Sequence, residues 1–87
     1  MDTQPIQTRL LALLTEIAPD VEPAALDPAR NFRDQFDFDS MDTLHFASAI
    51  SEAFGIAIAE SEYQQLTKLN SAVEFVQHRL AATAKSV

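Results

Sequence analysis

The stretch Phe36-Asp37-Phe38-Asp39-Ser40-Met41-Asp42-Thr43-Leu44-His45-Phe46-Ala47-Ser48-Ala49-Ile50-Ser51-Glu52-Ala53-Phe54-Gly55 decides the fold. Leu44, Ala47, Ile50 and Phe54 recur at helical spacing and trace an inward face, with Phe46 at its edge. The spacing predicts a helix that starts at Asp39 or Ser40 and ends at Phe54. Either residue suits an N-cap, and Asp42 in the first turn opposes the helix dipole. Gly55, the only glycine in the chain, stands where a left-handed C-cap is wanted. Met41, His45, Ser48 and Glu52 trace a second, outward face that begins beside Ser40. A serine hydroxyl at the positive end of a helix is favourably placed to carry a phosphate ester, although the same residues also suit an ordinary cap.

On either side, the chain reads as helical. Ile6, Leu10, Leu13, Leu14 and Ile17 form an apolar stripe from about Gln4 to Ala18, with Thr3 as cap, Pro5 in the first turn and Pro19 as the stop. Residues 19–39 read as a long connection broken by Pro23 and Pro28. It is too apolar for a free linker, so Leu26, Phe32 and Phe36 are expected to pack it on the bundle. Ile56-Ala57-Ile58 reads as an extended linker that buries its isoleucines, and Glu60 to Leu66 as a short third helix packed through Tyr63 and Leu66. A fourth helix, with Leu69, Val73, Val76 and Leu80 as its stripe, is expected to end near Ala82, the residues beyond it fraying. The expected fold is all-α: one domain over 1–87, ordered over about 4–82, with three main helices, one short one and a long first crossover.

Composition narrows the function. Apolar residues make up 47% of the 87, enough for a packed core. No apolar run approaches the roughly 18 residues of a membrane span, and Met1-Asp2-Thr3-Gln4-Pro5 lacks the pattern of a signal peptide, so the expected location is the cytoplasm. A formal net charge of −7 argues against nucleic acid. Between Arg33 and Lys68 there is no Lys or Arg, while Asp34, Asp37, Asp39, Asp42, Glu52, Glu60 and Glu62 fall in that interval. This acidic block is suited to attract basic partner surfaces. There is no cysteine, hence no disulfide or thiolate nucleophile, and any thiol chemistry must come from an attached group. The two histidines do not make a metal site, and the acids lack the spacing of a calcium loop. Ser40 and His45 stand about 140° apart around a helix, and no nucleophile elbow surrounds the serine, so the chain is not expected to be an enzyme.

Through Asp39-Ser40-Met41-Asp42, Phe54-Gly55-Ile56, Ile58 and Leu66-Thr67-Lys68-Leu69, the chain resembles the acyl carrier protein family over nearly its whole length. The resemblance implies the acyl-carrier-like four-helix bundle. It also implies that a separate, magnesium-dependent phosphopantetheinyl transferase esterifies the Ser40 hydroxyl with 4′-phosphopantetheine from coenzyme A. By the same resemblance, Asp39, Met41, Asp42, His45 and Glu52 meet the transferase and the acyl-loading and acyl-processing enzymes. Phe32, Leu44, Ile50, Ala72 and Val76 would line a shelter for the acyl chain, and the carrier would act as a monomer. Two departures stand out. The family often has glycine two residues before the motif's aspartate, where this chain has Asp37-Phe38 before Asp39, and His45, Ser51 and Ala53 stand where acids are common along the second helix. These point to a specialised fatty-acid-like or polyketide-type pathway. The alternatives are an aminoacyl or peptidyl carrier and an unmodified acidic helical adaptor.

Overall fold

The computed structural model describes residues 4–85, with side-chain burial to residue 82. It is an all-helical bundle, with α1 at Gln4–Ile17, α2 at Ser40–Phe54 and α3 at Leu69–Lys85, and a 3₁₀ helix at Glu60–Leu66 between the last two. Helix α1 buries Leu10, Leu13 and Leu14 and packs against both α2 and α3. Its hydrogen-bond ladder reaches Ala18, whose N–H donates to the Leu14 carbonyl before Pro19 stops it. The expected Thr3 cap lies outside the described residues.

The long connection is not structureless. It contains two short 3₁₀ turns, Pro23–Ala25 and Phe32–Asp34. Gln35 stitches it internally: its amide nitrogen donates to the Asp27 and Arg30 carbonyls, and its side-chain oxygen accepts from the Asp27 N–H. Two backbone bonds tie it to the start of α3, Phe32 N–H to the Thr67 carbonyl at 2.8 Å and Asn70 N–H to the Pro28 carbonyl at 3.0 Å. Buried Phe32 lies at the centre of an aromatic cluster, with ring centroids 5.6 Å from Phe36, 5.2 Å from Phe38 and 5.8 Å from Phe46. The Phe38 and Phe46 contacts to it are edge-on, the arrangement that ring quadrupoles favour.

That cluster corrects the expected face of α2. Phe46 is fully buried with Ala47 and Ile50, whereas Leu44 is 39% exposed. On a helix Leu44 stands about 120° round from Ile50, and a stripe through Phe46 buries more apolar surface because Phe32 and Phe38 are waiting for it. Gly55 ends α2 at φ 66° and ψ 38°, the left-handed conformation that glycine adopts without a Cβ penalty. Ile56 is buried and Ile58 half-buried in the extended linker. Helix α3 buries Leu69, Ala72, Val73, Phe75 and Val76. Its backbone stays helical to Lys85, beyond the expected end at Ala82.

Candidate functional site

The start of α2 is fixed by a reciprocal pair of carboxylates. Asp39 is the N-cap, and its Oδ1 accepts from the Asp42 N–H at 2.9 Å. Asp42 Oδ2 accepts in return from the Asp39 N–H at 3.0 Å. Thr43 Oγ1 adds a bond to the Asp39 carbonyl. This capping box satisfies helix donors that would otherwise lack partners. The Asp42 N–H, the largest influence on it, holds the Asp39 carboxyl below its ordinary value of 3.8.

Asp39 therefore does the capping, and Ser40 does not. Ser40 is exposed at the first position of the helix, and among the described residues its hydroxyl makes no hydrogen bond. The other serines differ. The hydroxyl of Ser51 is spent on the Ile56 carbonyl and that of Ser71 on the Gln65 and Lys68 carbonyls. Ser48 lies mid-helix, Ser61 lies within the 3₁₀ helix, and Ser86 is outside the described residues.

The outward face of α2 emerges as read from the sequence, with Met41, His45, Ser48 and Glu52 all exposed. Met41 is 56% exposed, and Leu44 joins it to make a small apolar patch beside Ser40. Of the three positions where acids are common in the resembling family, only His45 is on that face. Ser51 and Ala53 are half-buried, Ala53 against the core.

Ser40 also opens onto a cleft of about 220 Å³, lined by Phe32, Arg33, Phe38, Ser40, Thr43, Tyr63, Gln64 and Thr67. Of the five residues expected to shelter an acyl chain, only Phe32 reaches it. Ile50, Ala72 and Val76 lie in the closed core, and Leu44 faces outward. The residues that sequence reasoning missed, Thr43, Tyr63, Gln64 and Thr67, come from α2, the 3₁₀ helix and the turn after it, and no local periodicity announces that convergence.

The 3₁₀ helix is held in place by polar bonds. Arg79 on α3 pairs with Glu62, donates to the Ala57 carbonyl at 2.8 Å and stacks over Phe75 at 4.8 Å from the ring centroid. Glu62 Oε1 accepts from the Ala59 N–H at 2.9 Å. That backbone bond first, and Arg79 after it, hold the Glu62 carboxyl below its ordinary value of 4.5. One member of the acidic block is thus neutralised within the fold. Among the described residues no cluster of His, Asp or Glu is arranged to hold a metal ion, and no helix is long and apolar enough to cross a membrane.

The family model described as a phosphopantetheine attachment site matches residues 8–76, which include the whole of α2 and both walls of the cleft. The chain belongs to the acyl carrier protein family. It is similar to the acyl carrier protein of Guillardia theta, 30% identical over 82 residues, covering 94% of this chain and 100% of the relative. The acyl carrier protein of Thermosynechococcus vestitus is 27% identical over 79 residues, covering 87% and 98%. A mitochondrial acyl carrier protein of Arabidopsis thaliana is 26% identical over 76 residues, covering 87% of this chain and 60% of the relative. The cofactor of this carrier is covalently attached 4′-phosphopantetheine.

Proposed function

We propose that Ser40 bears the 4′-phosphopantetheine arm, and that the chain holds an acyl group as a thioester on that arm and delivers it to partner enzymes. The observation that carries this reading is the division of labour at the start of α2: Asp39 and Asp42 cap the helix, and the exposed Ser40 hydroxyl is left unengaged. A hydroxyl in that state fits a phosphodiester. In the loading step its oxygen bonds to the phosphorus of coenzyme A as the bond to adenosine 3′,5′-bisphosphate breaks, and the hydroxyl proton passes to solvent. A phosphopantetheinyl transferase supplies the catalysis. The carrier supplies the nucleophile and a docking surface, with Asp39, Asp42, His45 and Glu52 framing Met41 and Leu44.

The arm supplies the thiol that forms the thioester, in a protein with no cysteine of its own. In its present shape the cleft is smaller than the roughly 300–1,000 Å³ typical of small-molecule sites, which favours a short apolar acyl group. A longer one would have to move Phe32 or Tyr63 to reach the level of Ile50, Ala72 and Val76. We place the carrier in a specialised fatty-acid-like or polyketide-type pathway on the strength of an α2 face that carries His45 and few acids, and propose that it acts as a cytoplasmic monomer. The test is intact mass after incubation with coenzyme A and a broad-specificity transferase. Wild type should gain one phosphopantetheine, and Ser40→Ala should gain none while keeping its stability within about 0.5 kcal/mol, because the cap is elsewhere. Gain of the arm by Ser40→Ala, or none by wild type, would overturn the assignment; the latter result would favour an unmodified adaptor.

A further inference from the structure

The cleft beside Ser40 has one cationic wall. Arg33 lines it, standing on the 3₁₀ turn Phe32–Asp34. The bond from the Phe32 N–H to the Thr67 carbonyl brings together the backbone segments that carry Arg33 and Lys68. The two cations that bracket the acidic segment in sequence thus stand on neighbouring segments, with Arg33 lining the cleft beside the serine. Among the described residues Arg33 is exposed and makes no ion pair or side-chain hydrogen bond. Arg30, by contrast, donates to the Asp34 carbonyl, and Arg79 is engaged by Glu62 and Ala57. Of the carboxylates that share a surface depression with Arg33, those of Asp39 and Asp42 are held in the capping box, and that of Asp37 makes no ion pair among the described residues. A guanidinium in this state is available to a phosphate oxygen, which its planar fork matches.

We propose that Arg33, backed by Lys68, anchors the phosphodiester carried on Ser40 and lays the arm along the cleft rather than leaving it free in solvent. The inference rests on modification of Ser40. The phosphorus is one bond from the Ser40 oxygen, and Ser40 and Arg33 line the same cleft. The new negative charge would arise beside Asp37, Asp39 and Asp42, which share a surface depression with Arg33, so a cation there offsets like-charge repulsion. Beyond the phosphate, Tyr63 and Gln64 offer hydroxyl and amide groups to the two amides of the arm, Thr43 and Thr67, whose hydroxyls donate to the Asp39 and Gln64 carbonyls, offer acceptor oxygens, and Phe38 offers an apolar floor. Arg33 is a positioning residue. A basic partner surface competes with it for the same phosphate, so that docking frees the arm.

The test compares the apo and holo proteins by nitrogen-15 NMR of the arginine Nε–H groups and by phosphorus-31 NMR of the arm. The Arg33 Nε–H signal should shift on conversion to the holo form, while that of Arg9 on α1 stays put. The phosphorus signal should move in Arg33→Gln, move further in Arg33→Gln with Lys68→Gln, and stay unchanged in Arg9→Gln, which removes the same charge. Raising the salt should bring wild type toward Arg33→Gln. An unchanged Arg33 signal in the holo protein, with a phosphorus signal indifferent to Arg33→Gln, would overturn the proposal. So would an Arg33 signal that moves only when the arm is loaded with succinate, which would mean that it reads an acyl carboxylate instead. Because these comparisons use protein whose mass already shows the arm, their failure is separate from a failure of Ser40 to be modified.

Discussion

The two walls of the cleft beside Ser40 are held by different forces. On one side the connection over residues 19–39 presents Phe32 and Phe38, locked to Phe36 and Phe46 through edge-on and tilted ring contacts and buried almost completely. On the other side the 3₁₀ helix Glu60–Leu66 anchors one apolar residue fully, Leu66, and relies on Arg79, Glu62 and the Ala59 N–H to stay in place. Packed rings carry no titrating group and no charge for salt to screen, whereas partly exposed charged bonds do. One wall is thus a fixed reference that positions Ser40. The other rests on partly exposed bonds that salt and acid weaken.

The comparison breaks most visibly at Phe32. Phe32→Ala should cost about 3–5 kcal/mol, as for other buried phenylalanines cut to alanine, a large share of the roughly 5–15 kcal/mol that holds a domain together. Urea unfolding followed by circular dichroism measures it. If the loss is below about 1 kcal/mol, the aromatic wall is not the fixed one.

Arg79→Gln should act on the other wall and stay local. It removes the ion pair with Glu62 and the stacking over Phe75 while leaving the aromatic cluster untouched. Hydrogen exchange of the Glu60–Leu66 amides should accelerate, with those of α1 and the middle of α2 unchanged. Uniform acceleration across the bundle would mean that the two walls unfold as one unit.

A smaller and reversible version of the same contrast comes from acid. Asp39 and Glu62 both have carboxyls held below their ordinary values, 3.8 and 4.5, chiefly by backbone N–H groups. A lowered folded value means that the stabilisation is full above the ordinary value and is lost as pH falls through the folded one. Between about pH 5 and 2, the start of α2 and the 3₁₀ helix should loosen while the ring signals of Phe32 and Phe46 hold their positions in proton NMR spectra. Loss of the ring signals first would reverse the order of the two walls.

The same division explains what the sequence discloses. Helix α2 is legible at both ends because each is marked by chemistry that acts within four residues, the Asp39–Asp42 box and the left-handed Gly55. Its inward face is not fully legible. Periodicity permits a stripe through Leu44 or one through Phe46, and only Phe32 and Phe38, residues of another segment, decide between them. Gln35 and Arg79 escape notice for a related reason: each joins groups distant in the chain, and a polar residue among polar neighbours leaves no periodic trace. The extension of α3 to Lys85 follows from Ala81, Ala82 and Ala84, whose helix propensity outlasts the apolar stripe. The Asp39-Ser40-Met41-Asp42 motif is legible because it is local. The cleft is not, because its lining comes from three separate stretches of the chain, 32–33, 38–43 and 63–67.

The smallest effect concerns the exposed face of α2 outside the cleft, where partners would read the helix. Met41, His45, Ser48 and Glu52 are exposed along one line. Three acidic substitutions, at His45, Ser51 and Ala53, would give that helix the charge that basic synthase surfaces favour. Ser51 and Ala53 cannot be used cleanly, since Ser51 bonds the Ile56 carbonyl and Ala53 packs on the core. His45→Glu alone is free of both walls. It adds one negative charge at an interface rim, where charge mainly alters the association rate. The holo variant should therefore be a better substrate than wild type for general fatty-acid synthase enzymes, through faster association, with unchanged stability. The gain should fade as salt rises and the screening length falls from roughly 10 Å at 0.1 M to about 3 Å at 1 M. Stopped-flow association at two ionic strengths measures both. If wild type is already turned over efficiently and His45→Glu adds nothing at low salt, specificity resides in the cleft walls, with Phe38 the first residue to change.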